Sequence, residues 1–491
     1  MGSSSSEINK AHSIWKGKYL PITLANLTVV AVAAFDGLAI VAALPNITKD
    51  LGYVALAPWI LTSYLGTSAI SAIIAGPIID SIGVRKTFQI AGLWFLITSS
   101  FAALSPTLPI LILSRALQGI GGGLVIAVAL ASVGLAYPDA LRPKAFAANS
   151  MVWGTLGLGG PVLAGALLAF GGWRLIFLVQ LPITSLALFV GWNRLPKITN
   201  RKIIQKIEFD YKGISLLSVC ITASLIGVAQ LANRSLIALA LFGLTGVFAS
   251  RYWAHSGNYS NPVLSRQHLT RFPLSRIHIA SALALITGLA TDNYLPLYMQ
   301  TTRGRSETLA SFSVVFLTVG WTVAAFVTSR LLERRREEEI ILIGSLLMPI
   351  AVLLAGVSVS FNYSLIVLFG AFFLIGSAIG FISTSGLTLL QSNSDNEEMG
   401  RSNSAHQFVR TLAITYGVAA GGTILLSVVN NRTGDVETVR KVLSGDSVSI
   451  SNQTLEAIGS GFAWIHAFSG VTAALGLGIA ISLNRKKNRT K

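Results

Sequence analysis

The sequence predicts an all-α polytopic membrane protein, because it is strongly apolar and carries few charges. Of the 491 residues, 52% are hydrophobic and only 12% are charged, whereas about a quarter of the residues in an average soluble domain are charged. Apolar runs of about 20 residues recur along the chain, and each is long enough to cross a hydrocarbon core of about 30 Å. The composition therefore argues against a soluble protein.

We predict 14 transmembrane spans, grouped as six, two and six. The first six-helix bundle covers residues 20–192 and the second covers 277–484, while 193–276 hold a basic loop, the two extra spans and a linker. Tails at 1–19 and 485–491 flank the bundles. The expected spans lie near residues 20–44, 58–77, 88–105, 109–136, 145–170, 173–192, 212–231, 235–253, 277–300, 308–328, 340–360, 363–391, 405–430 and 462–484.

The distribution of basic residues predicts the orientation of the chain. Most of the 37 lysine and arginine residues fall in loops on one side of the predicted spans, and cytoplasmic loops of membrane proteins collect such residues. An even number of spans places both termini on that side, where the basic tail RKKNRTK also belongs. We therefore expect a multi-pass protein of the cell membrane with cytoplasmic N- and C-termini.

Several classes of site are not indicated by the sequence. Membrane topology accounts for the net charge of +17, so we expect no nucleic acid partner. The single cysteine, Cys220, has no second thiol to pair with, and the six histidines show no paired spacing. No Walker lysine accompanies the glycine-rich stretch 119–123. We therefore expect no metal and no cofactor, which favours a machine driven by an ion gradient over an enzyme.

The loop after the second span reads GPIIDSIGVRK and carries a charged turn. Asp80 and the basic pair Arg85 and Lys86 lie on this turn, with Gly76 and Gly83 around the acid. An aspartate at a helix end accepts hydrogen bonds from the N-terminus of a neighbouring helix, and basic residues contact acids or lipid headgroups. We predict a cytoplasmic latch that pairs Asp80 with Arg85; the alternative is a positive-inside loop with a capping aspartate.

This loop resembles the GxxxDxxGxRK signature of the major facilitator superfamily, and other stretches are similar to further motifs of that family. The fourth span carries SRALQGIGGG (114–123), similar to the RxxQGxG pattern of proton-coupled members. The run WRLIFLVQLP (173–182) resembles the family's WRWIFxxNxP, with Gln180 where asparagine is usual. The fifth span carries GTLGLGGPVLAG, similar to the antiporter motif through Gly157, Gly160, Pro161 and Gly165.

The two extra central spans make the chain most similar to the 14-span drug:proton antiporter branch of that superfamily. The stretches YLPLYMQ (294–300) and FVRTLAITYG (408–417) are similar to elements of this branch. The first span departs from its pattern, because Leu38 and Val41 replace the usual threonine and asparagine. The resemblance implies two six-helix bundles around a central cavity, alternating access, and proton-driven export of amphipathic, often cationic compounds.

Three ionisable residues lie at membrane depth, where a charge is costly unless it is paired or faces water. At about 1.5 Å per residue, Asp36, Arg115 and Asp292 lie roughly 10–14 Å from the outer helix ends, so they share one depth. We predict proton coupling by Asp36 with Arg115, and a second site that attracts cations at Asp292. The alternatives are a structural ion pair for the first two residues and a position at the outer mouth for the third.

Aromatic residues in the spans predict an apolar cavity that favours flat lipophilic cations. The same side chains are equally consistent with core packing or with an interfacial belt. The candidate cavity residues are Trp59, Tyr64, Gln118, Trp153, Tyr294 and Phe316.

The sequence thus predicts a monomeric exporter that exchanges small molecules for protons. Two other functions remain open. A proton-coupled symporter of the same fold would import a nutrient or metabolite, and the direction of proton-driven flux distinguishes it from an exporter. A membrane receptor or assembly partner would show no proton-linked flux of any ligand.

Overall fold

The chain is helical throughout its described part. The computed structural model describes all residues except 1–12, 53–55, 57, 198–209, 232–234, 261, 396–397, 444–448 and 489–491. The described residues contain no β-strand, which confirms the all-α prediction. Parts of the predicted N-terminal tail, the basic loop after residue 193 and the C-terminal tail lie outside the described residues.

The helices form two compact units. The first unit contains Met1–Phe209 and Leu390–Gln407, and the second contains Asp210–Leu389 and Phe408–Lys491. The two extra central helices therefore cluster with the second unit, while a short stretch from late in the sequence clusters with the first.

The described residues form long helices with several short ones between them. The first six are α1 (Tyr19–Leu51), α2 (Pro58–Ala103), α3 (Leu108–Ala136), α4 (Arg142–Gly171), α5 (Arg174–Leu178) and α6 (Gln180–Gly191). The next seven are α7 (Tyr211–Gln230), α8 (Ser235–Asn258), α9 (Arg266–Thr270), α10 (Leu274–Asp292), α11 (Leu295–Thr301), α12 (Glu307–Ser313) and α13 (Val315–Leu331). The remaining five are α14 (Glu337–Ser360), α15 (Leu365–Ser392), α16 (Met399–Thr433), α17 (Val436–Leu443) and α18 (Asn452–Asn488).

The number of membrane-spanning helices is compatible with the predicted 14. Within the described residues, 11 helices are long and apolar enough to cross a membrane, or 12 when the bent α4 counts as one span. The single helix α2 covers the predicted span 58–77 and the predicted span 88–105 as far as Ala103. The predicted span 308–328 is divided between α12 and α13. Because α13 has only 17 residues, it is shorter than each of the 11 helices counted as membrane spans.

Gly83 joins two helical stretches within α2. Its backbone, with φ of 85° and ψ of 156°, is not helical. Glycine adopts this conformation without strain because it has no Cβ atom. Asp80 therefore lies at the end of the first stretch, and Arg85 lies near the start of the second.

Glycines allow α3 to pack closely against α2. A Cβ atom on Gly119 would overlap the carbonyl oxygen of Tyr64, and one on Gly121 would lie 3.0 Å from the Cα atom of Phe95. Small residues permit this kind of approach between membrane helices. Because Arg115 lies one turn before Gly119, the close packing brings its side chain to the buried face of α2.

The second unit is packed in the same way around α10, which ends at Asp292. A Cβ atom on Gly417 would lie 2.9 Å from the Cα atom of Ile286, so α16 and α10 are in near-backbone contact. A Cβ atom on Gly376 would overlap the carbonyl oxygen of Leu317, which holds α15 against α13 in the same manner.

Candidate functional site

Asp36 and Arg115 form an ion pair inside the first unit. Asp36 lies on α1 and Arg115 on α3, and both side chains are 0% exposed. The Nη1 atom of Arg115 lies 2.9 Å from each carboxylate oxygen of Asp36. Removing one member of such a pair leaves a buried charge without compensation, so each residue depends on the other.

Two glutamines and a serine extend this pair into a network. Nη1 of Arg115 also donates to Oε1 of Gln118 at 2.7 Å. Nε2 of Gln118 lies 2.8 Å from Oγ of Ser99 and 3.0 Å from Oε1 of Gln180. Nε2 of Gln180 donates to Oδ1 of Asp36 at 2.9 Å. All five side chains are buried, so the network closes on the carboxylate without contact with solvent.

Aromatic rings cover the guanidinium group of Arg115. Its central carbon lies 4.2 Å from the centroid of the Tyr64 ring and 5.7 Å from that of Phe177. The faces of aromatic rings attract cations. Nη2 of Arg115 has no hydrogen-bond partner among the described residues. Arg115 thus holds its charge with fewer hydrogen bonds than its five donors allow.

Sequence reasoning missed part of this network. It marked Gln180 only as a departure from the WRWIFxxNxP motif, and it did not single out Ser99. The unusual glutamine was the available signal for the first residue. No comparable signal exists for the second, because serine is common in packed membrane helices. The break between α5 and α6 at Val179 makes Gln180 the first residue of α6, facing Asp36.

Asp292, the predicted second site that attracts cations, belongs to the second unit. Its side chain lies at the end of α10 and is 8% exposed. In the part of the chain that the structure describes, Oδ1 of Asp292 has no hydrogen-bond partner. This carboxyl group therefore differs from that of Asp36, which accepts bonds on both oxygens.

In the predicted gating motif, Asp80 contacts the first residues of α16. Oδ1 of Asp80 accepts from the backbone N–H of Gly400 at 2.8 Å, and Oδ2 accepts from that of Arg401 at 3.1 Å. The guanidinium of Arg401 lies 3.9 Å from the same carboxylate. Unpaired N–H groups and a partial positive charge mark a helix N-terminus, so Asp80 caps α16. Gly76 allows this approach, because a Cβ atom there would lie 2.8 Å from the Cα atom of Arg401.

The predicted pairing of Asp80 with Arg85 is wrong. Nε of Arg85 donates to the carbonyl oxygen of Leu195 at 2.7 Å, and Lys86 is exposed. The reason is the turn at Gly83, which places Arg85 on the second stretch of α2. The cation beside Asp80 is Arg401.

The predicted antiporter motif coincides with a bend in α4. The stretches Asp139–Gly157 and Val162–Gly171 differ in direction by 53°, and the break between them contains Gly160 and Pro161. Proline removes a backbone donor and bends helices, so the predicted kink is present. The side chain of Pro161 lies outside the described residues.

Close packing at Gly165 was also predicted, and it is wrong for this structure. A Cβ atom on Gly165 would meet no described heavy atom within 4 Å, and the residue is exposed. Gly165 lies beyond the bend, on the short final stretch of α4, where none of the described helices brings its backbone close to it.

The predicted cavity residues of the first unit fall into two environments. Tyr64 and Gln118 are buried against Arg115, as described above. Trp59 and Trp153 are 48% and 44% exposed. Only the first two therefore contact the ion pair.

The predicted cavity residues of the second unit, Tyr294 and Phe316, each have a partner. The hydroxyl of Tyr294 donates to the carbonyl oxygen of Val418 at 2.9 Å. Phe316 stacks on Phe369, with ring centroids 4.5 Å apart. Both side chains are half-buried, so these contacts leave the two predictions for the aromatic residues, cavity lining and core packing, open.

Comparison with known proteins relates the chain to one family. The family model of the Major Facilitator Superfamily matches residues 27–418. The multidrug efflux pump SdrM of Staphylococcus aureus (strain N315) is 29% identical over 417 residues, which cover 83% of this chain and 89% of that protein. The multidrug transporter protein MdtP of Bacillus subtilis (strain 168) is 24% identical over 421 residues, or 85% of this chain and 76% of its own.

A solved structure shows the same fold. The crystal structure of the human organic anion transporter MFSD10 matches with a TM-score of 0.64 and 14% sequence identity, covering 93% of this chain and 100% of that one. At this identity the likeness concerns the arrangement of helices alone.

Proposed function

The chain belongs to the major facilitator superfamily, and we propose that it is a proton-coupled antiporter that exports small amphipathic or cationic compounds by alternating access. Membership of a transporter family bears out the expectation that the chain is not an enzyme. Two of its relatives are named as a multidrug efflux pump and a multidrug transporter, which supports the substrate class and the direction. The buried ion pair of Asp36 and Arg115 is the observation that supports the proposed proton coupling.

We propose that Asp36 carries the proton. A carboxyl group binds its proton more tightly when it is desolvated and less tightly beside a guanidinium. Movement of Arg115 away from Asp36 would therefore favour proton uptake, and its return would favour release. Arginine suits this role because it keeps its charge at any accessible pH. The Nη2 atom, which has no partner among the residues that the structure describes, gives Arg115 a donor with which to bind a different acceptor after it moves.

Asp80 supplies the proposed link to alternating access. The contact with the first turn of α16 needs the two helices to be adjacent, so it exists only in conformations that keep them together. A contact made in one state shifts the equilibrium toward that state. We propose that this latch closes the cytoplasmic side and favours the outward-open state.

Asp292 is the proposed site of attraction for cationic substrates. Its Oδ1 atom has no hydrogen-bond partner in the described part of the chain and so leaves an acceptor for a ligand donor. A cation beside the carboxyl group would offset the cost of burying its charge.

The energy of a proton gradient is adequate for such export. One proton moving down 100 mV supplies about 2.3 kcal/mol. Each pH unit adds about 1.4 kcal/mol. No bound cofactor is needed in this scheme, in which the protein works as a monomer in the cell membrane with both termini in the cytoplasm.

Flux measurements in vesicles test the proposal. We expect purified protein in acid-inside vesicles to accumulate lipophilic cationic dyes such as ethidium, and an uncoupler to abolish the accumulation. Asp36→Asn should stop accumulation and leave dye binding intact. Asp50→Asn is the matched control, since Asp50 lies on the same helix, is half exposed and pairs with Arg174; this variant should transport normally.

The other outcomes of this experiment are equally informative. Release of preloaded dye from acid-inside vesicles would identify a symporter. Absence of proton-linked flux for a panel of dyes, drugs and metabolites would favour a receptor or an assembly partner. Normal coupled transport by Asp36→Asn would show that the proton is carried elsewhere.

A further inference from the structure

The amide of Gln180 lies between the proposed proton carrier and the rest of its network. Its Nε2 atom donates to Oδ1 of Asp36 at 2.9 Å, while its Oε1 atom lies 3.0 Å from Nε2 of Gln118 and 3.4 Å from Oγ of Ser99. The side chain is 0% exposed. Both ends of the amide are therefore engaged, and their roles are fixed by their partners.

The bonds of this network share one direction. Arg115 donates to Gln118, Gln118 donates to Gln180, and Gln180 donates to the carboxylate. A neutral amide can accept a hydrogen bond at its oxygen and donate one from its nitrogen. Hydrogen bonds in such a chain polarise one another, so a cation at one end strengthens the bond donated to an anion at the other end. Asp36 is consequently connected to Arg115 twice, by a direct hydrogen bond and through the two amides.

We infer that Gln180 is a positioning residue that holds Asp36 in its ionised form and sets the pH at which the carboxyl group takes up a proton. This inference rests on the proposed function, in which Asp36 is the carrier. A hydrogen bond donated to a carboxylate favours the charged form. If Arg115 moves during the transport cycle, the amide of Gln180 stays as a donor to Asp36.

The length of the side chain matters for this role. Related motifs have asparagine at this position, which is one methylene shorter. From the same backbone position, an asparagine amide ends about 1.5 Å earlier, so it reaches either Asp36 or Gln118 less well than glutamine does. Gln180 thus gives this chain a firmer link between the two polar residues than the family motif implies.

Few other groups influence the ionisation of Asp36. Among the described residues that face it, Arg115 on α3 is the charged group and Tyr64 on α2 is the titratable one. Helices α5 and α6 present Phe177 and Gln180, and α4 carries no titratable residue after Lys144. A change at Gln180 should therefore be visible directly in the titration of Asp36.

The test measures that titration without a substrate. Infrared spectra of the purified full chain in detergent, recorded from pH 4 to pH 10, follow the C=O band of protonated carboxyl groups. The band that disappears in Asp36→Asn belongs to Asp36.

The variants change the amide of Gln180 in different ways. Gln180→Glu keeps the shape of the side chain and replaces the amide donor with a second carboxyl group, while Gln180→Met keeps the length of the side chain and removes the amide. Gln89→Met is the matched control, because the amide of Gln89 donates to the carbonyl oxygen of Trp192.

We expect Gln180→Met to raise the titration midpoint of the Asp36 band by about one pH unit, a tenfold change in proton binding. Gln180→Glu should raise it further, because two neighbouring carboxyl groups disfavour each other's charge. Gln180→Asn should lie between the wild type and Gln180→Met. Gln89→Met should leave the midpoint unchanged.

Two results would overturn the inference: a midpoint that is the same in the wild type and in every folded Gln180 variant, or an Asp36 carboxyl group that stays ionised down to pH 4 in every folded Gln180 variant as well as in the wild type. Because Gln180→Asn, Gln180→Met and Gln180→Glu perturb packing differently, melting temperatures show which of them remain folded. The proposed function fails separately, if Asp36→Asn still transports dye in exchange for protons, whatever the infrared midpoints show.

Discussion

Asp36 and Asp292 are both buried carboxyl groups on long apolar helices, but their surroundings differ. Asp36 is 0% exposed and accepts hydrogen bonds from Arg115 and Gln180. Asp292 is 8% exposed, and its Oδ1 atom has no partner among the described residues. The difference shows that burial alone does not define the role of an acid, because the partners decide which protonation state is stable.

This comparison ranks the expected effects of mutation by the number of partners that each residue has. The carboxylate of Asp36 belongs to a closed network, and that of Asp80 has two backbone donors and a nearby guanidinium. Within the described ranges, Oδ1 of Asp292 has no hydrogen-bond partner, and no heavy atom lies within 4 Å of a Cβ atom placed on Gly165. We expect the losses of stability to decrease in the same order.

The largest effect is expected for Arg115→Met. This change leaves the Asp36 carboxylate buried without its cation, which should lower the free energy of unfolding by about 3–5 kcal/mol. It should also abolish proton-coupled transport. Unfolding in mixed detergent micelles, followed by tryptophan fluorescence, measures the first effect, and dye accumulation measures the second.

The double variant Asp36→Asn with Arg115→Met is the control for this prediction. It removes both charges and leaves an amide that can still accept from Gln180, so most of the stability should return while transport stays absent. Equal destabilisation by the single and double variants would show that packing of Arg115 against Tyr64 and Phe177, and not its charge, is what matters.

A smaller effect is expected for Asp80→Asn. The change removes the charge that caps α16, an interaction worth about 1 kcal/mol, and should shift the conformational equilibrium about fivefold. Turnover should fall by a similar factor, with expression and dye affinity nearly unchanged. Asp139→Asn is the control, since Asp139 pairs with Arg142 within one turn and is 79% exposed. Unchanged turnover in Asp80→Asn would contradict the latch.

The fold and the ion pair could be predicted from the sequence, for physical reasons. Long apolar runs indicate membrane helices, and a charge inside such a run is rare enough to be noticed. The shared depth of Asp36 and Arg115 then indicated that they could meet. The partner of Asp80 could not be predicted in this way, because Gly400 and Arg401 lie more than 300 residues away in sequence.

That Gln180 and Ser99 belong to the network could not be predicted from the sequence, for another reason. Gln180 and Ser99 carry no charge, so neither stands out in a helix that has apolar residues on every face. A membrane helix of this kind gives no amphipathic pattern from which to infer the direction of a side chain. Between α5 and α6, Val179 keeps a helical backbone conformation, so no proline or glycine marks the place where Gln180 begins α6.

Asp292→Asn is expected to change stability by less than about 1 kcal/mol. The substitution removes a carboxyl group whose Oδ1 atom has no partner among the described side chains and backbone. Few hydrogen bonds are therefore lost, and the cost of desolvating the carboxylate is reduced. Binding of cationic dyes in detergent should weaken several-fold, while neutral substrates should be spared. Thr291→Val, at a neighbouring buried residue of α10, serves as the control for packing. Loss of stability as large as that of Arg115→Met would show that Asp292 has a partner comparable to that of Asp36.

The smallest change in stability is expected for Gly165→Leu. The space around a Cβ atom at this position is open among the described residues, and helix positions without neighbours usually change stability by no more than about 0.5 kcal/mol. The melting temperature in detergent should therefore match that of the wild type.

The same Gly165→Leu variant tests the antiporter motif, because a glycine that is open in one conformation can be closely packed in another, where leucine would clash. We expect dye export to be blocked, or protons to leak through the vesicle membrane without exchange. Normal coupled export together with normal stability would show that Gly165 contributes only to the composition of α4.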